Sequence, residues 1–249
     1  MANDSSSTSQ RIPFNGDLVR RCQFFSNLPP ELIQEMSLHF RCERWEKKTY
    51  INQTTLQHRF YILAEGRIEM LRTNPDSGRC ITLDLLHPGD GFDVITLLDG
   101  KVHEMFFSPI ENLKVISVSI DKMREWIWNY PELNRQFMPY LAQKMREHEN
   151  KVTDFALFDT TTRLSRIILQ NLNKIKSYKG LAENAHEQHL LSGLSDELLA
   201  RMVGSVRQVV NQQLQHWKKL GVLDKKRNQL VINDLQQIID DAELSLSAF

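Results

Sequence analysis

The chain has 249 residues, of which 41% are hydrophobic and 25% charged, as in an ordinary globular protein of one large or two small domains. Its formal net charge is zero, and no apolar run is long enough to cross a bilayer. The start, "MANDSSSTSQR", lacks the apolar segment of a signal peptide or an anchor, so we expect residues 1–15 to be a disordered tail. Cys22, Cys42 and Cys80 are widely spaced and odd in number, which indicates a cytoplasmic protein without a disulfide framework.

Charge is unevenly divided along the chain. Residues 1–159 carry 19 Lys/Arg against 22 Asp/Glu, whereas residues 160–249 carry 12 against 9, so the two parts have net charges of −3 and +3. Residues 195–232 hold seven basic and three acidic side chains. A locally basic C-terminal third favours a polyanionic partner.

The first structured segment has a helical pattern. Apolar residues recur at helical spacing in "LVRRCQFFSNLPPELIQEMSLHF", and Pro29 is placed to start a helix that runs from Glu31 to Phe40. From about residue 42 to 120 the pattern changes to short β-rich runs, separated by the turn signals "NPDSGR", "HPGDG" and "LLDGK". Regularly spaced short strands predict an antiparallel sandwich or barrel.

One of these runs has the alternation of a half-buried strand. In "AEGRIEML" we expect Ile68 and Met70 to point to one face, and Arg67 and Glu69 to the other.

A long helix follows the strands, and Pro131 is suited to begin it. Six side chains within this helix are spaced alternately by three and four residues, which is the pattern of a heptad seam. Such a seam packs either on the rest of its own chain or on a second copy across a two-fold axis, and we favour the dimer. The seam consists of Met138, Leu141, Met145, His148, Val152 and Phe155.

The segment after the seam starts a new helix, because Asp159 is a natural N-cap. Its apolar stripe comprises Leu164, Ile167, Ile168 and Leu172. We place the domain boundary near residues 155–159 and expect a loop at residues 177–193.

The stretch "LLARMVGSVRQVVNQQLQHWKKLGVL" has the pattern of a helix-turn-helix. Ser195 can cap the first helix, Gly204 can supply the positive φ of the turn, and Ser205 can cap a second helix beginning at Val206. Buried positions on the second helix are expected at Val210, Leu214 and Trp217.

The other side of the second helix is polar. Arg207, Gln208, Asn211 and Gln212 lie there, and such side chains can pair with guanine or adenine in the major groove. The next segment, "GVLDKKRNQLVIN", predicts two strands around a basic wing tip that can meet phosphates. The predicted DNA contacts are Ser205, Arg207, Gln208, Asn211, Gln212, Lys225, Lys226 and Arg227. The alternative is a plain αα-hairpin with a solvated polar face.

From about residue 20 onward the chain resembles the cyclic-AMP receptor protein/fumarate-nitrate-reductase regulator (Crp/Fnr) superfamily of bacterial transcription factors. "YILAEGRIEML", the "GD" at 89–90, "DFALFDTTTRLSRIIL" and "ARMVGSVRQVVNQQL" carry this resemblance. It implies an α+β protein with a cyclic-nucleotide-binding-type β-roll (a jelly-roll-like barrel) at 16–130. A dimerisation helix at 131–158 and a winged helix-turn-helix at 159–249 would follow.

The resemblance also implies a function. Members bind promoter DNA as homodimers and contact RNA polymerase. By position Arg207 matches the family's guanine-reading arginine, whereas Gln208 replaces a reader that is commonly acidic.

The chain departs from the family where members bind cyclic AMP. The family's Arg-Ser pair falls on His103 and Glu104, and its Gly-Glu pair falls on Phe92 and Asp93. A carboxylate repels a phosphate, and loss of the arginine removes a charge-assisted bidentate pair, so we do not expect cyclic AMP to bind in the usual way. The N-terminal cysteine cluster that holds an iron–sulfur centre is also missing.

The effector, if one exists, is therefore open. Asp93, His103, Glu104 and His148 could form a polar effector site that holds a metal ion, coordinates haem or responds to pH. In the plainer interpretation His103 and Glu104 lie on an exposed turn, His148 bonds across the seam, and abundance or a partner protein controls the regulator. We expect the cysteines to be buried and structural.

An enzyme is the remaining alternative, in the form of a metal-dependent β-barrel oxygenase or isomerase. Such a site needs a close His-x-His pair, and the sequence contains none. It also lacks a glycine-rich phosphate loop and a nucleophile elbow, so we predict a regulator and not an enzyme.

Overall fold

A computed structural model of the chain describes residues 9–13, 17–47, 49, 51, 53–179, 190–226 and 229–243. They fall into two compact units, Met1–Thr73 with Leu83–Arg146 and Asn74–Thr82 with Glu147–Phe249. This division lies within the long helix, earlier than the boundary expected near residues 155–159. Within the described ranges, no helix has the length and apolar character needed to span a membrane.

The first unit contains short helices and antiparallel strands, as the turn signals indicate. The helices are α1 (Asp17–Arg20), α2 (Pro30–Ser37), α3 (Gln53–His58), α4 (Val94–Asp99) and α5 (Ile120–Asn129). The strands are β1 (Ser9–Ile12), β2 (Arg41–Trp45), β3 (Arg59–Glu65), β4 (Ile68–Thr73), β5 (Cys80–Leu86, whose first residues belong to the second unit), β6 (Phe106–Pro109) and β7 (Leu113–Ser119).

Two expectations near the N-terminus were wrong in part. Residues 9–12, assigned above to a disordered tail, form β1 and pair antiparallel with β2. Helix α2 ends at Ser37 and not at Phe40, because Leu38 caps it and the chain then enters β2. The start of α2 agrees with the sequence, since Pro29 is its N-cap.

The strands form two sheets, in the orders β1-β2-β7-β3 and β5-β4-β6. The larger sheet is buried on both faces, since alternate residues of β3 join different cores. Phe60 and Ile62 pack with the helices, whereas Tyr61 and Leu63 pack with residues that include Phe107 of the smaller sheet. The α+β class and the antiparallel strand pairs agree with the sequence prediction.

The predicted alternation of buried and exposed side chains in β4 is confirmed only for the buried positions. Ile68 and Met70 are buried, but Glu69 is only 2% exposed, although we expected it to face outward. Strand β4 is the central strand of its sheet, so Glu69 has residues of β5 on one side and of β6 on the other. Arg67, just before the strand, bonds Glu111 at 2.9 Å.

Helix α6 (Pro131–Leu157) is the long helix, and it begins at Pro131 as predicted. Its first half is held to strand β5 and to the turn before α4. The Lys144 ammonium lies 3.1 Å from Asp84 Oδ2 and 2.9 Å from Asp90 Oδ1, and the amide of Gly91 donates to the Tyr140 hydroxyl at 3.2 Å. Because these groups are largely withdrawn from water, they fix where α6 lies on the sheet.

Two of the three thiols are buried. Cys22 Sγ donates to the carbonyl of Gly89 at 3.0 Å, and burial raises the pKa of this thiol well above its ordinary value. Burial also raises the pKa of Cys42, whereas Cys80 is half-buried. Raised pKa values keep Cys22 and Cys42 protonated, which suits the structural role expected for them.

The second unit contains α7 (Thr160–Lys179), β8 (Leu190–Ser192), α8 (Asp196–Val203), α9 (Arg207–Lys219), β9 (Leu223–Lys226), β10 (Gln229–Ile232) and α10 (Leu235–Glu243). The predicted N-cap of α7 is confirmed, because Asp159 Oδ1 accepts from the amide of Thr162 at 2.8 Å. The predicted stripe of α7 is also buried. The loop expected at 177–193 is partly wrong: α7 reaches Lys179, β8 pairs with β10, and residues 180–189 lie outside the described ranges.

The contacts of α6 predict a large cost for Lys144→Met. Both carboxylates would lose their cationic partner while staying mostly buried, so the free energy of unfolding should fall by about 2–4 kcal/mol in urea denaturation. Lys122→Met is the control, because its pair with Glu125 lies at the surface and should contribute less than about 1 kcal/mol. Equal effects of the two substitutions would contradict this role for Lys144.

Candidate nucleic-acid interface

Helix α8 starts as the sequence predicts. The Ser195 hydroxyl accepts from the amide of Leu198 at 3.2 Å, and Asp196 and Glu197 occupy the first turn. Carboxylates there face the positive end of the helix dipole, so the start of α8 is locally favourable.

Gly204 makes the turn between α8 and α9, with the predicted positive φ of 64°. The amide of Ser205 donates to the carbonyl of Ala200 at 2.9 Å and closes the end of α8. A Cβ at Gly204 would lie 3.1 Å from Cε1 of Phe155, at the end of α6. Both the backbone conformation and the close approach of the Phe155 ring therefore favour glycine.

The predicted start of α9 was wrong by one residue. Ser205 does not cap it, but belongs to the turn, where its amide donates to the carbonyl of Ala200 at the end of α8. Val206 is the N-cap, with no side-chain hydrogen bond, and the helix begins at Arg207.

Three buried side chains anchor α9, and all three were predicted. Val210, Leu214 and Trp217 are each at most 1% exposed, and Trp217 Nε1 donates to Asp241 Oδ2 at 2.7 Å. The anchoring fixes which side of the helix remains open to solvent.

The open side of α9 forms a shallow concave polar surface. We call it the reading surface; it is lined by Arg207, Gln208, Asn211, Gln212, Gln215, His216 and Lys219. None of these side chains is a carboxylate. The sequence prediction missed the last three, although they continue the same helical spacing by two further turns.

Asp196 binds two of the predicted DNA contacts. Asn211 Nδ2 donates to Asp196 Oδ2 at 3.2 Å, and the ammonium of Lys225 pairs with Asp196 Oδ1. These bonds tie the second turn of α9 and strand β9 to the start of α8. Arg207, Gln208 and Gln212 are exposed, whereas Asn211 is half-buried.

The predicted wing is present as a pair of strands. Strands β9 and β10 are antiparallel, with Lys226 opposite Gln229. Lys225 and Lys226 lie in β9 itself and not at the tip, and Lys226 is exposed. Arg227 lies outside the described residues.

Of the predicted effector residues, Asp93 and His103 are brought together. His103 Nδ1 lies 2.9 Å from Asp93 Oδ1, and the two side chains are 17% and 6% exposed. Asp93 has a left-handed φ of 49° and caps α4 by accepting from the amide of Thr96 at 3.4 Å. In the described ranges, no three His, Cys, Asp or Glu side chains form a group that could hold a metal ion.

The other two predicted effector residues are not part of this pair. The side chain of Glu104 is exposed, and its backbone carbonyl accepts from Arg72 Nε at 3.3 Å. His148 is exposed on α6 in the second unit.

We expect Gly204→Ala to lower the free energy of unfolding by about 1–3 kcal/mol. The alanine would be strained by the left-handed backbone, and its methyl group would lie too close to the Phe155 ring. Gly221→Ala is a matched control, since its φ is 75° but nothing lies within 4 Å of the added methyl group. It should cost about 1 kcal/mol through the backbone alone. If chemical denaturation gave equal losses for both, Phe155 would not restrict the turn.

Comparisons with known proteins agree with this geometry. Residues 162–240 match the model of the Crp-like helix-turn-helix domain. A CRP-like cAMP-activated global transcriptional regulator of Mycobacterium tuberculosis is 26% identical over 223 residues, covering 89% of this chain and 97% of the relative. The global nitrogen regulator of Synechococcus elongatus is 27% identical, covering 76% and 85%.

Solved structures share the fold. The c-di-GMP-responsive global regulator CLP of Xanthomonas campestris superposes with a TM-score of 0.65 at 17% identity, covering 82% of this chain and 99% of that chain. A CRP-family transcriptional regulator of Thermus thermophilus gives 0.64 at 21% identity, covering 83% and 99%.

These relatives are transcription regulators, so the alternative of a barrel enzyme does not hold. The chain is a transcription regulator with a Crp-like helix-turn-helix DNA-binding domain at residues 162–240, and it is similar over most of its length to regulators of the Crp/Fnr type.

Proposed function

We propose that the chain acts as a homodimer that binds promoter DNA sequence-specifically, with α9 in the major groove. We propose also that the bound dimer contacts RNA polymerase at the promoter. The observation that carries this proposal is the reading surface, because its seven side chains include hydrogen-bonding and basic groups but no carboxylate. Such a surface approaches DNA without charge repulsion.

The exposed side chains suit direct readout. Arg207 opens the first turn and can pair bidentately with guanine O6 and N7. Gln208 and Gln212 can pair with adenine N6 and N7, and Gln215 extends the same chemistry along the helix. We therefore expect a half-site that combines one guanine with neighbouring A·T pairs.

Other residues of the predicted set act differently. Asn211 and Lys225 keep α9 and β9 in register with α8 through Asp196, so we assign them a positioning role. Lys226 is exposed on β9, where its charge suits a phosphate contact that carries no sequence information.

The homodimer is supported by apolar side chains exposed along α6. Met138, Met145 and Val152 follow one another at seven-residue intervals and are 46%, 73% and 68% exposed. A stripe of this spacing is typical of a helix that packs against its own copy. Leu141 packs against the core of the first unit and Phe155 against Gly204, so both contribute less to the seam than the sequence suggested.

We further propose that the β-roll does not bind cyclic AMP in the usual way, although the Mycobacterium tuberculosis relative is named as cAMP-activated. Asp93 and His103 occupy the positions that correspond to the family's ribose and phosphate contacts, and they bond each other at 2.9 Å. His103 stands where the family has its phosphate-binding arginine, and Glu104 adds a carboxylate next to it, so both changes disfavour a phosphate. Control without an effector, or haem or metal sensing through His103 or His148, are the alternatives.

Readout by Arg207 predicts that Arg207→Ala weakens specific DNA binding by about 1–3 kcal/mol and relaxes the preference at a single guanine. Fluorescence polarisation on duplexes with each base at that position measures both effects. Lys226→Ala is the comparison: it should weaken binding to all sequences alike and reduce the salt dependence. Uniform weakening by Arg207→Ala would place Arg207 on a phosphate instead.

The exposed stripe predicts that Met145→Glu dissociates the dimer, because a charge would face its own symmetry mate. Sedimentation velocity should then give a monomer. Asn150→Glu adds the same charge to an exposed position of α6 outside the stripe and should leave a dimer. If the wild-type chain sediments as a monomer at micromolar concentration, the proposal that α6 forms a dimer contact is contradicted.

A further inference from the structure

The N-cap of α9 is a residue that does not suit its place. Val206 makes no side-chain hydrogen bond to the helix, and its side chain is 57% exposed. Ser, Thr, Asn and Asp are the residues that stabilise this position, and the starts of α8 and α7 use Ser195 and Asp159 in that way. Val206 therefore neither caps its helix nor packs in the core.

A second valine repeats the pattern one turn later. Val209 is 39% exposed, whereas its neighbour Val210 is completely buried. Because Val206 and Val209 are three residues apart, they lie next to each other at the start of α9. We call this pair the apolar edge. Val206 directly precedes Arg207 and Val209 directly follows Gln208, and both of these neighbours line the reading surface.

The chemistry of the apolar edge restricts what it can contact. Valine has no donor for a phosphate oxygen and no group that can pair with the polar edge of a base. The apolar group that DNA presents in the major groove is the C5-methyl group of thymine. β-Branched side chains are also stiff, so little conformational entropy is lost when they are covered.

We propose that Val206 and Val209 are specificity-determining residues that contact thymine C5-methyl groups. This proposal rests on the proposed function, in which the start of α9 enters the major groove. It explains why valine stands where a hydroxyl would stabilise the helix: contact with a methyl group replaces capping.

The proposal is tested with DNA that differs only by the methyl group. The half-site is first selected from a randomised duplex library with the full-length protein. Each thymine of the selected site is then replaced by uracil, which keeps base pairing and removes the methyl group. Loss of one buried methyl contact corresponds to about fourfold weaker binding, and we expect this at one or two thymines of each half-site.

Substitutions separate readout from helix stability. Val206→Ser supplies a capping hydroxyl, so the melting temperature of the variant should rise. At one thymine, replacement by uracil should no longer weaken binding. A merely structural role would not move these two readouts in opposite directions. Val209→Ala should remove the response without adding a cap. Leu220→Ser is the control: Leu220 is 61% exposed at the other end of α9, and the response to uracil should remain.

The outcomes distinguish this inference from the proposed function. If no sequence is enriched from the library, sequence-specific binding itself fails, and the inference fails with it. If a site is enriched but uracil binds as well as thymine at every position, only the methyl contact is overturned. Tighter binding of Val206→Ser to thymine and uracil duplexes alike would place residue 206 against a phosphate.

Discussion

The DNA-binding unit depends on the left-handed turn at Gly204. This residue is the C-cap of α8, and only Gly204, Ser205 and Val206 lie between α8 and α9. A Cβ at Gly204 would come within 3.1 Å of the Phe155 ring, so the end of α6 also limits the path of the turn. Asp196 adds a second connection, because it binds Asn211 of α9 and Lys225 of β9. Together these contacts preorganise the reading surface, which lowers the conformational entropy lost on binding.

Helix α6 has a different environment in each half. In the first unit, Lys144 and Tyr140 hold it to Asp84 of β5 and to the turn that precedes α4. In the second unit, Asp154 forms an ion pair with Arg166 of α7, and the Arg166 guanidinium lies 3.8 Å from the centre of the Phe158 ring. The exposed stripe at Met138, Met145 and Val152 runs through both halves. A single helix thus carries the proposed dimer contact and buttresses the turn at Gly204.

Local signals in the sequence predicted the parts of the site that local chemistry determines. The caps at Ser195 and Asp159, the positive φ of Gly204 and the buried stripe of α9 each depend on a few adjacent residues. The helix start was misplaced by one residue because the turn extends through Ser205, whose amide donates to Ala200 of α8, and α9 begins only after Val206.

The remaining differences come from contacts between residues distant in sequence. Asp196 accepts a hydrogen bond from Asn211, fifteen positions further along the chain, and the local pattern of α9 does not predict this contact. Strands β1 and β8 were missed because strand partners, and not local pattern, form them. Valine is a residue type that is usually buried, so the sequence alone does not indicate that Val206 and Val209 are exposed.

Methylation interference at guanine tests the central claim most directly, namely that α9 reads the major groove. A methyl group at guanine N7 blocks the bidentate pairing of an arginine and leaves the phosphates unchanged. On the selected site, methylation of one guanine in each half-site should abolish binding of the wild-type protein. The Arg207→Ala variant binds the site more weakly from the start, and methylation of the same guanine should not weaken its binding further. Wild-type binding that tolerates methylation of every guanine, or an Arg207→Ala variant that remains as sensitive as the wild type, would contradict readout by this residue.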